Sequence, residues 1–402
     1  MALAMALGLP GLILRVSGTH LAPELTALVS GIGIVGAAFV ISWACEVAQL
    51  DISASLAIAI LALIAILPEY SVEFVLAWDA GEVWQTGTTL GNASEGVKDV
   101  VGRAAANVTG ANRLLIGLGW SMVVLVFWLK RRRHLTLERG LSLELTILTV
   151  ATLLTFLLFF LKEVALYMAG ILIALYLFYL WSSSRHGAEE PELLGPSAAV
   201  GSLPKVGRRA LVLFMFAYSA IIIFAAAEPF VDGLVETGGK IGIDEFILIQ
   251  WLAPLASEAP EMVIALLFTL KGNPAAGITA LISSEVNQMT LLIGSMPLVF
   301  SASFGHASPF PLDPHQSIEF LLTASVSLFA IALLARMRIA WYGALVLLGL
   351  FIVHLPFTDS DARRVFALIY LGLAVVILVA DRGRVVEMFR RARTVFKVES
   401  EA

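Results

Sequence analysis

Long apolar stretches recur along the chain, separated by short polar breaks. A helix rises about 1.5 Å per residue, so about 20 apolar residues cross the hydrocarbon of a bilayer. Stretches near that length predict helices over residues 2–17, 26–48, 53–78, 100–129, 142–161, 163–182, 209–232, 244–270, 275–300, 316–335, 338–356 and 363–381. The first is short for a full span. No Lys or Arg precedes the apolar run of 1–16 and no small-x-small cleavage site follows it, so it reads as a retained helix rather than a signal peptide. The longest break, Ser183–Arg208, is rich in Gly, Pro, Ser and charge and reads as a loop between two halves.

Composition narrows the class. Of 402 residues, 59% are hydrophobic and 14% charged, against about a quarter charged in soluble domains. That excludes an ordinary cytosolic enzyme and describes an all-α polytopic membrane protein whose partner is the lipid bilayer. The net charge of -5 and the absence of a basic face argue against nucleic-acid binding. Cys45 is the single cysteine, so no internal disulfide or cysteine zinc site can form, and it reads as a small buried hydrophobe.

The cations set an orientation. Lys130 to Arg133, Arg139, Arg185, Lys205, Arg208, Arg209, Lys271, Arg336, Arg338 and the tail arginines fall on one side of the predicted spans. By the positive-inside rule that side is cytoplasmic, with both termini on it, and a prokaryotic plasma membrane is the expected location. The opposite side carries Asp79, Glu82, Glu95 and Asp99, then Asp232, Glu236, Asp244 and Glu245. These read as solvated loop charges, with cation gathering as the alternative. The tail from Gly383 to Lys397 predicts an amphipathic helix on the inner leaflet.

One order of features occurs twice. A helix with a lone acid (Glu46, then Glu228) precedes a Pro-Glu helix (Pro68-Glu69, then Pro260-Glu261). Each is followed by a helix with an asparagine and, seven residues on, a glycine (Asn112 and Gly119, then Asn287 and Gly294). Five spans separate equivalent elements. An odd number inverts the second copy, the arrangement used by transporters with a midplane site.

These motifs resemble the calcium/cation antiporter superfamily, which includes the sodium/calcium exchangers. The resemblance rests on Leu67-Pro68-Glu69 with Asn107-Val108-Thr109-Gly110-Ala111-Asn112, and on Ser257-Glu258-Ala259-Pro260-Glu261 with Ser284-Glu285-Val286-Asn287. It implies two inverted repeats of five transmembrane helices plus one extra helix at each end, about twelve in all. The expected layout is an extra helix in 1–25, a first repeat in 26–182, a cytoplasmic loop in 183–208, a second repeat in 209–356, and an extra helix with basic tail in 357–402. It also implies cation antiport, with Glu69 and Glu261 binding the ion and Asn112 and Asn287 as further ligands; Glu258, which the family pattern does not supply, is added as a candidate ligand from its place beside Glu261. The chain departs from the family at Ala65 and Ile66, at Glu258, at Ala111 and Val286, and at Leu115, where polar sodium ligands are usual, and at Arg113.

The residues themselves support an ion site. A carboxylate at the bilayer centre costs a few kcal/mol on insertion scales and generally lines a pathway or meets a partner. Pro68 and Pro260 cannot donate to the carbonyls of Ile64 and Ala256, which leaves an oxygen near each glutamate. The alternative is a protonated glutamate at a kink, which two symmetric copies make less attractive. Glu258 lies one turn before Glu261 and is a candidate proton carrier. Glu73, one turn after Glu69, is the corresponding residue, although an outer-end position in water is the expected reading. Ser257 is a candidate hydroxyl ligand. Glu285 and Arg113 form a candidate pair, with Arg113 either a tethered substitute for a sodium ion or, preferably, a structural salt-bridge partner. Glu46 and Glu228 read as interface residues. Thr109 and Ser284 read as interhelical glue.

The expected activity is exchange of Ca2+ for H+ or Na+ by alternating access, with no cofactor. Monovalent Na+/H+ exchange on the same fold is the alternative. A channel suits paired kinked helices less well. All six histidines fall in or next to predicted loops, which gives an intramembrane hydrolase little to work with.

Overall fold

The computed structural model describes residues 1–18, 21–51, 67–137, 141–185, 193, 195–242, 245–335 and 337–383. The helices are α1 (Ala2–Ser17), α2 (Pro23–Ala48), α3 (Leu67–Val83), α4 (Glu95–Leu114), α5 (Ser121–Arg131), α6 (Ser142–Leu161), α7 (Leu166–Arg185) and α8 (Pro196–Gly201). The second half continues with α9 (Lys205–Ile241), α10 (Glu245–Lys271), α11 (Pro274–Asn287), α12 (Ile293–Phe304), α13 (Pro314–Leu334), α14 (Trp341–His354) and α15 (Ser360–Ala380). A π-helical turn, Leu115–Trp120, joins α4 to α5, and another, Gln288–Leu292, joins α11 to α12. Among the described residues seven helices are long and apolar enough to cross a membrane, or eight if Phe246–Lys271 is one span. The all-α polytopic class expected from the sequence is what forms. Of the predicted stretch 53–78, only the part from Leu67 is described. Ile64, Ala65, Ile66, Asp244 and the predicted tail helix beyond Gly383 lie outside the described residues.

Several helices outrun their apolar stretches. Asp79 and Glu82 lie on α3, Glu95 and Asp99 on α4, and Asp232 and Glu236 on α9, not in loops. Hydropathy marks what hydrocarbon covers, whereas the backbone stays helical until a stop signal. For α9 that stop is Gly242, whose left-handed φ of 67° closes the C-terminus.

Contacts divide the chain into two compact units. The first joins Met1–Leu76 with Leu180–Pro260, and the second Ala77–Tyr179 with Glu261–Ala402. In the first unit α1, α2 and α9 pack on one another through Val40, Ala44, Val47, Val212 and Met215, and through Ala37, Ile41, Ile222 and Ile223. Small residues permit the close approach. A Cβ on Gly36 would sit 2.4 Å from the carbonyl oxygen of Ala4, and one on Gly233 2.7 Å from the amide nitrogen of Ala27. Ion pairs clamp the helix ends. Arg208 grips Asp51 with Nε at 2.7 Å and Nη2 at 2.9 Å, and Arg209 lies 3.3 Å away.

The second unit carries the internal symmetry. Strand β1 (Leu135–Thr136) pairs antiparallel with β4 (Arg338–Ile339), and β2 (Glu163–Val164) with β3 (Phe310–Pro311). β1 and β3 lie 175 positions apart, as do β2 and β4, so the two pairings are images of one another. Thr152 Oγ1 and Ser327 Oγ, also 175 residues apart, share a hydrogen bond of 2.9 Å. Equivalent residues touch only at a pseudo-two-fold axis, so this bond marks where α6 meets α13. The inverted repeat inferred from the motifs is thus present in the backbone.

The hydrogen bond from Arg208, aided by Arg209, holds the Asp51 carboxyl down at about 2 against an ordinary 3.8. A depressed acid stabilises the fold above its unfolded pKa and loses that contribution as pH falls through the folded one. Asp51→Asn should therefore lower the melting temperature at neutral pH. Its difference from the unaltered chain should close between about pH 4 and pH 2, as thermal melts across that range will read.

Candidate ion-binding site

Glu69, Glu73, Ser257 and Glu258 belong to the first unit; Asn112, Arg113, Glu261, Glu285 and Asn287 belong to the second. Glu69, Ser257 and Glu258 are buried. Glu73 corrects an expectation: it is fully buried rather than an outer-end residue in water, because α3 continues for more than two turns beyond it. Hydroxyls near the motifs are largely engaged by backbone. Ser71 Oγ donates to the Pro68 carbonyl at 2.8 Å, and Ser257 Oγ donates to those of Ala253 and Pro254 at 3.3 Å. Thr109 Oγ1 donates to the Ala105 carbonyl at 2.7 Å, and Thr290 Oγ1 to that of Val286. Ser and Thr within helices commonly satisfy themselves this way.

In the second unit α4 packs on the second π-turn and α11 on the first, which brings the Asn112 and Asn287 segments to one region. Asn112 is fully buried, and its Nδ2 donates to the Val108 carbonyl at 2.8 Å. That bond leaves Oδ1 buried with no hydrogen-bond partner. Glu261 likewise has Oε2 buried without one. Open buried acceptors are costly in hydrocarbon unless something positive answers them. A hard cation, which takes oxygen ligands, fits that need. Among the described residues no three His, Cys, Asp or Glu side chains cluster to hold a resident metal.

Arg113 is also fully buried. Its Nε donates to the Thr109 carbonyl at 3.0 Å, and its Nη2 lies 2.5 Å from Glu319 Oε2 on α13. Arg363 Nε, from α15, lies 3.1 Å from Glu319 Oε1, and His315 Nε2 3.6 Å from the same oxygen. The preferred salt-bridge reading of Arg113 thus has a partner, but one the motif comparison missed. Glu319 and Arg363 were legible only as lone charges within or beside apolar stretches, which is the signal that marks intramembrane partners. The π-turns had no sequence signal. Both follow directly on the asparagine helices, and π-turns often mark functional sites. Glu46, by contrast, accepts a hydrogen bond from Ser197, and the exposed Glu228 pairs with Arg15 at 2.6 Å.

The profile of the sodium/calcium exchanger protein family matches residues 24–185 and 211–358. The chain belongs to that family. The crystal structure of an H+/Ca2+ exchanger, CAX, is 39% identical, covers 99% of this chain and 98% of its own, and superposes with a TM-score of 0.92. The structure of native YfkE is 15% identical with a TM-score of 0.62, covering 91% of this chain and 98% of its own. The sodium-calcium exchanger NCX_Mj is 16% identical with a TM-score of 0.52, covering 86% and 99%. These last two share the fold. No curated protein sequence matches the chain. The family consists of secondary exchangers in the membrane, not of catalytic enzymes, and the chain is a multi-pass integral membrane protein.

Gly117, in the first π-turn, lies against Phe351 of α14; a Cβ there would sit 2.4 Å from the Phe351 ring. Gly117→Val should lower thermal stability by about 1–3 kcal/mol, the usual cost of overpacking. Adding Phe351→Ala to the same chain should recover part of it.

Proposed function

We propose that this exchanger moves Ca2+ against H+ by alternating access, with Glu69 and Glu261 as its principal ion ligands and Asn112, Asn287 and Glu258 as further ones. The observation that carries the reading is the chain-wide likeness, at 39% identity, to an H+/Ca2+ exchanger. The apolar residues Ala111, Leu115 and Val286, standing where sodium-liganding side chains are usual, favour H+ over Na+ as counter-ion. Glu69 and Glu261 supply two negative charges, which match a dication, and the orphaned Oδ1 of Asn112 supplies a neutral oxygen. Ca2+ takes about six to eight oxygens, so backbone carbonyls and water complete the shell. Protons displace calcium by neutralising the same carboxylates. Monovalent Na+/H+ exchange on the same fold is the second reading, which Arg113 would favour by lowering the net negative charge a dication needs; its pairing with Glu319 reduces that effect.

The reading includes the repeat boundaries 26–182 and 209–356, a cytoplasmic 183–208, both termini inside, and a prokaryotic plasma membrane. In liposomes loaded with a calcium dye, an imposed pH gradient should drive calcium flux more strongly than a sodium gradient. A strong sodium response with no pH response would overturn the choice of H+. Glu69→Gln and Glu261→Gln should each fold and lose transport by more than the roughly 10- to 100-fold that losing an outer partner of a metal ligand costs. The double variant should be little worse than either single one. Glu95→Gln, at an exposed position on α4, is the control and should transport normally.

Ser202→Cys, at an exposed position, made in a Cys45→Ala background, should be labelled by an impermeant maleimide only from the cytoplasmic side. Labelling from outside would reverse the topology.

A further inference from the structure

The family profile ends at residue 358, and α15 begins at Ser360. A helix beyond the shared core would ordinarily be an extra span facing lipid, and most of this one does face outward. One residue of its first turn, Arg363, does not. Arg363 is fully buried, as are Glu319 and Arg113. We propose that Arg363 is a positioning residue for ion binding: through Glu319 and Arg113 it clasps α15 to the helix that carries Asn112.

The connections run without a gap. Arg363 Nε lies 3.1 Å from one oxygen of Glu319, and Arg113 Nη2 lies 2.5 Å from the other. Arg113 then turns back on its own helix, donating to the Thr109 carbonyl at 3.0 Å. Asn112 is the adjacent residue, and the π-turn starts two residues after Arg113. A second tie fixes the register of α15: His315 Nδ1 on α13 and Ser360 Oγ are 3.0 Å apart. One buried carboxylate shared by two guanidiniums resists displacement, because moving either arginine leaves a charge desolvated and unanswered. The clasp therefore acts where the rotation of α4 about its axis decides whether Asn112 Oδ1 faces the site or the protein.

The symmetry supports a special role. Positions 113 and 319 have repeat equivalents at 288 and 144, taken from the spacing of 175. The equivalent of Arg113 is Gln288, and that of Glu319 is Glu144. The arginine is thus confined to one half, the half whose asparagine helix meets the appended α15 by way of α13.

The inference rests on the calcium-exchange reading, so its test has one readout that depends on calcium and one that does not. Arg363→Met keeps the length of the stem and removes the guanidinium. In liposomes it should raise the KM for Ca2+ by about 10-fold, within the range carried by outer partners of metal ligands, with a smaller effect on the maximal rate. Arg363→Lys keeps the charge but not the fork, and should fall between the two. Amide hydrogen exchange in residues 109–120 of detergent-purified protein should be faster in Arg363→Met than in the unaltered chain. A purely structural arginine would reduce the yield of folded protein but leave the KM of the folded fraction alone. An unchanged KM in folded Arg363→Met overturns the proposal. If Arg363→Met does not fold, Arg363→Lys decides: a raised KM supports the clasp and an unchanged one overturns it. If the unaltered chain moves no calcium, the preceding reading has failed and exchange alone decides, faster exchange supporting the clasp and unchanged exchange overturning it.

Discussion

A charge inside hydrocarbon must be answered, and the residues that answer it organise this protein. Leaving one partner of a buried ion pair alone typically costs about 3–5 kcal/mol, a large part of a membrane protein's margin. Glu319 is answered twice within the chain, by Arg113 and Arg363. The buried acceptors Oδ1 of Asn112 and Oε2 of Glu261 are not answered by hydrogen bonds. Two kinds of buried polar group therefore coexist in the second unit. One kind is paired as ions within the protein and links α4, α13 and α15; the other consists of oxygens without a hydrogen-bond partner.

The inverted repeat sets what each half must share, and its departures show where the halves have separate work. The two antiparallel strand pairs and the Thr152–Ser327 contact obey the symmetry, as does the placement of a π-turn after each asparagine helix. A shared backbone of this kind brings equivalent segments near one axis whatever their side chains are. Arg113 against Gln288, and Gly110 against Glu285, break it in side chain only. Charge has been changed without disturbing the scaffold that carries it.

Much of this was legible because the bilayer makes a coarse and strong demand. About 20 apolar residues per span is a pattern that hydropathy reads directly, and the asparagine motifs at 112 and 287 have the 175-residue spacing of the strand pairs. What the sequence hid depended on long-range contact. Glu319 and Arg113 lie on different helices, so no spacing pairs them, and a purely motif-based reading turned instead to Glu285. The burial of Glu73 depends on how far α3 continues and on what packs around it, neither of which a 3.6-residue period reports. The π-turns insert no marker residue. Helix ends were misjudged for the opposite reason: Asp232 and Glu236 are polar, but polarity ends a membrane span without ending a helix.

The two units are held by different physics, and the difference bears on motion. Within the first, the contact among α1, α2 and α9 is aliphatic and glycine-lined, with charged pairs such as Arg208–Asp51 and Lys240–Glu24 at the helix ends. Apolar contact is non-directional, so sliding one helix along another exchanges one set of dispersion contacts for a similar set. Within the second, α4, α6, α13 and α15 are tied by a shared buried carboxylate, a hydroxyl pair and paired strands, each of which is lost if its geometry shifts by an ångström or two. A carrier that alternates access needs both properties: a part that shifts at low cost and a part whose ligands stay fixed. Under the alternating-access reading proposed above, directional bonds around Asn112 and aliphatic contacts among α1, α2 and α9 would supply them separately.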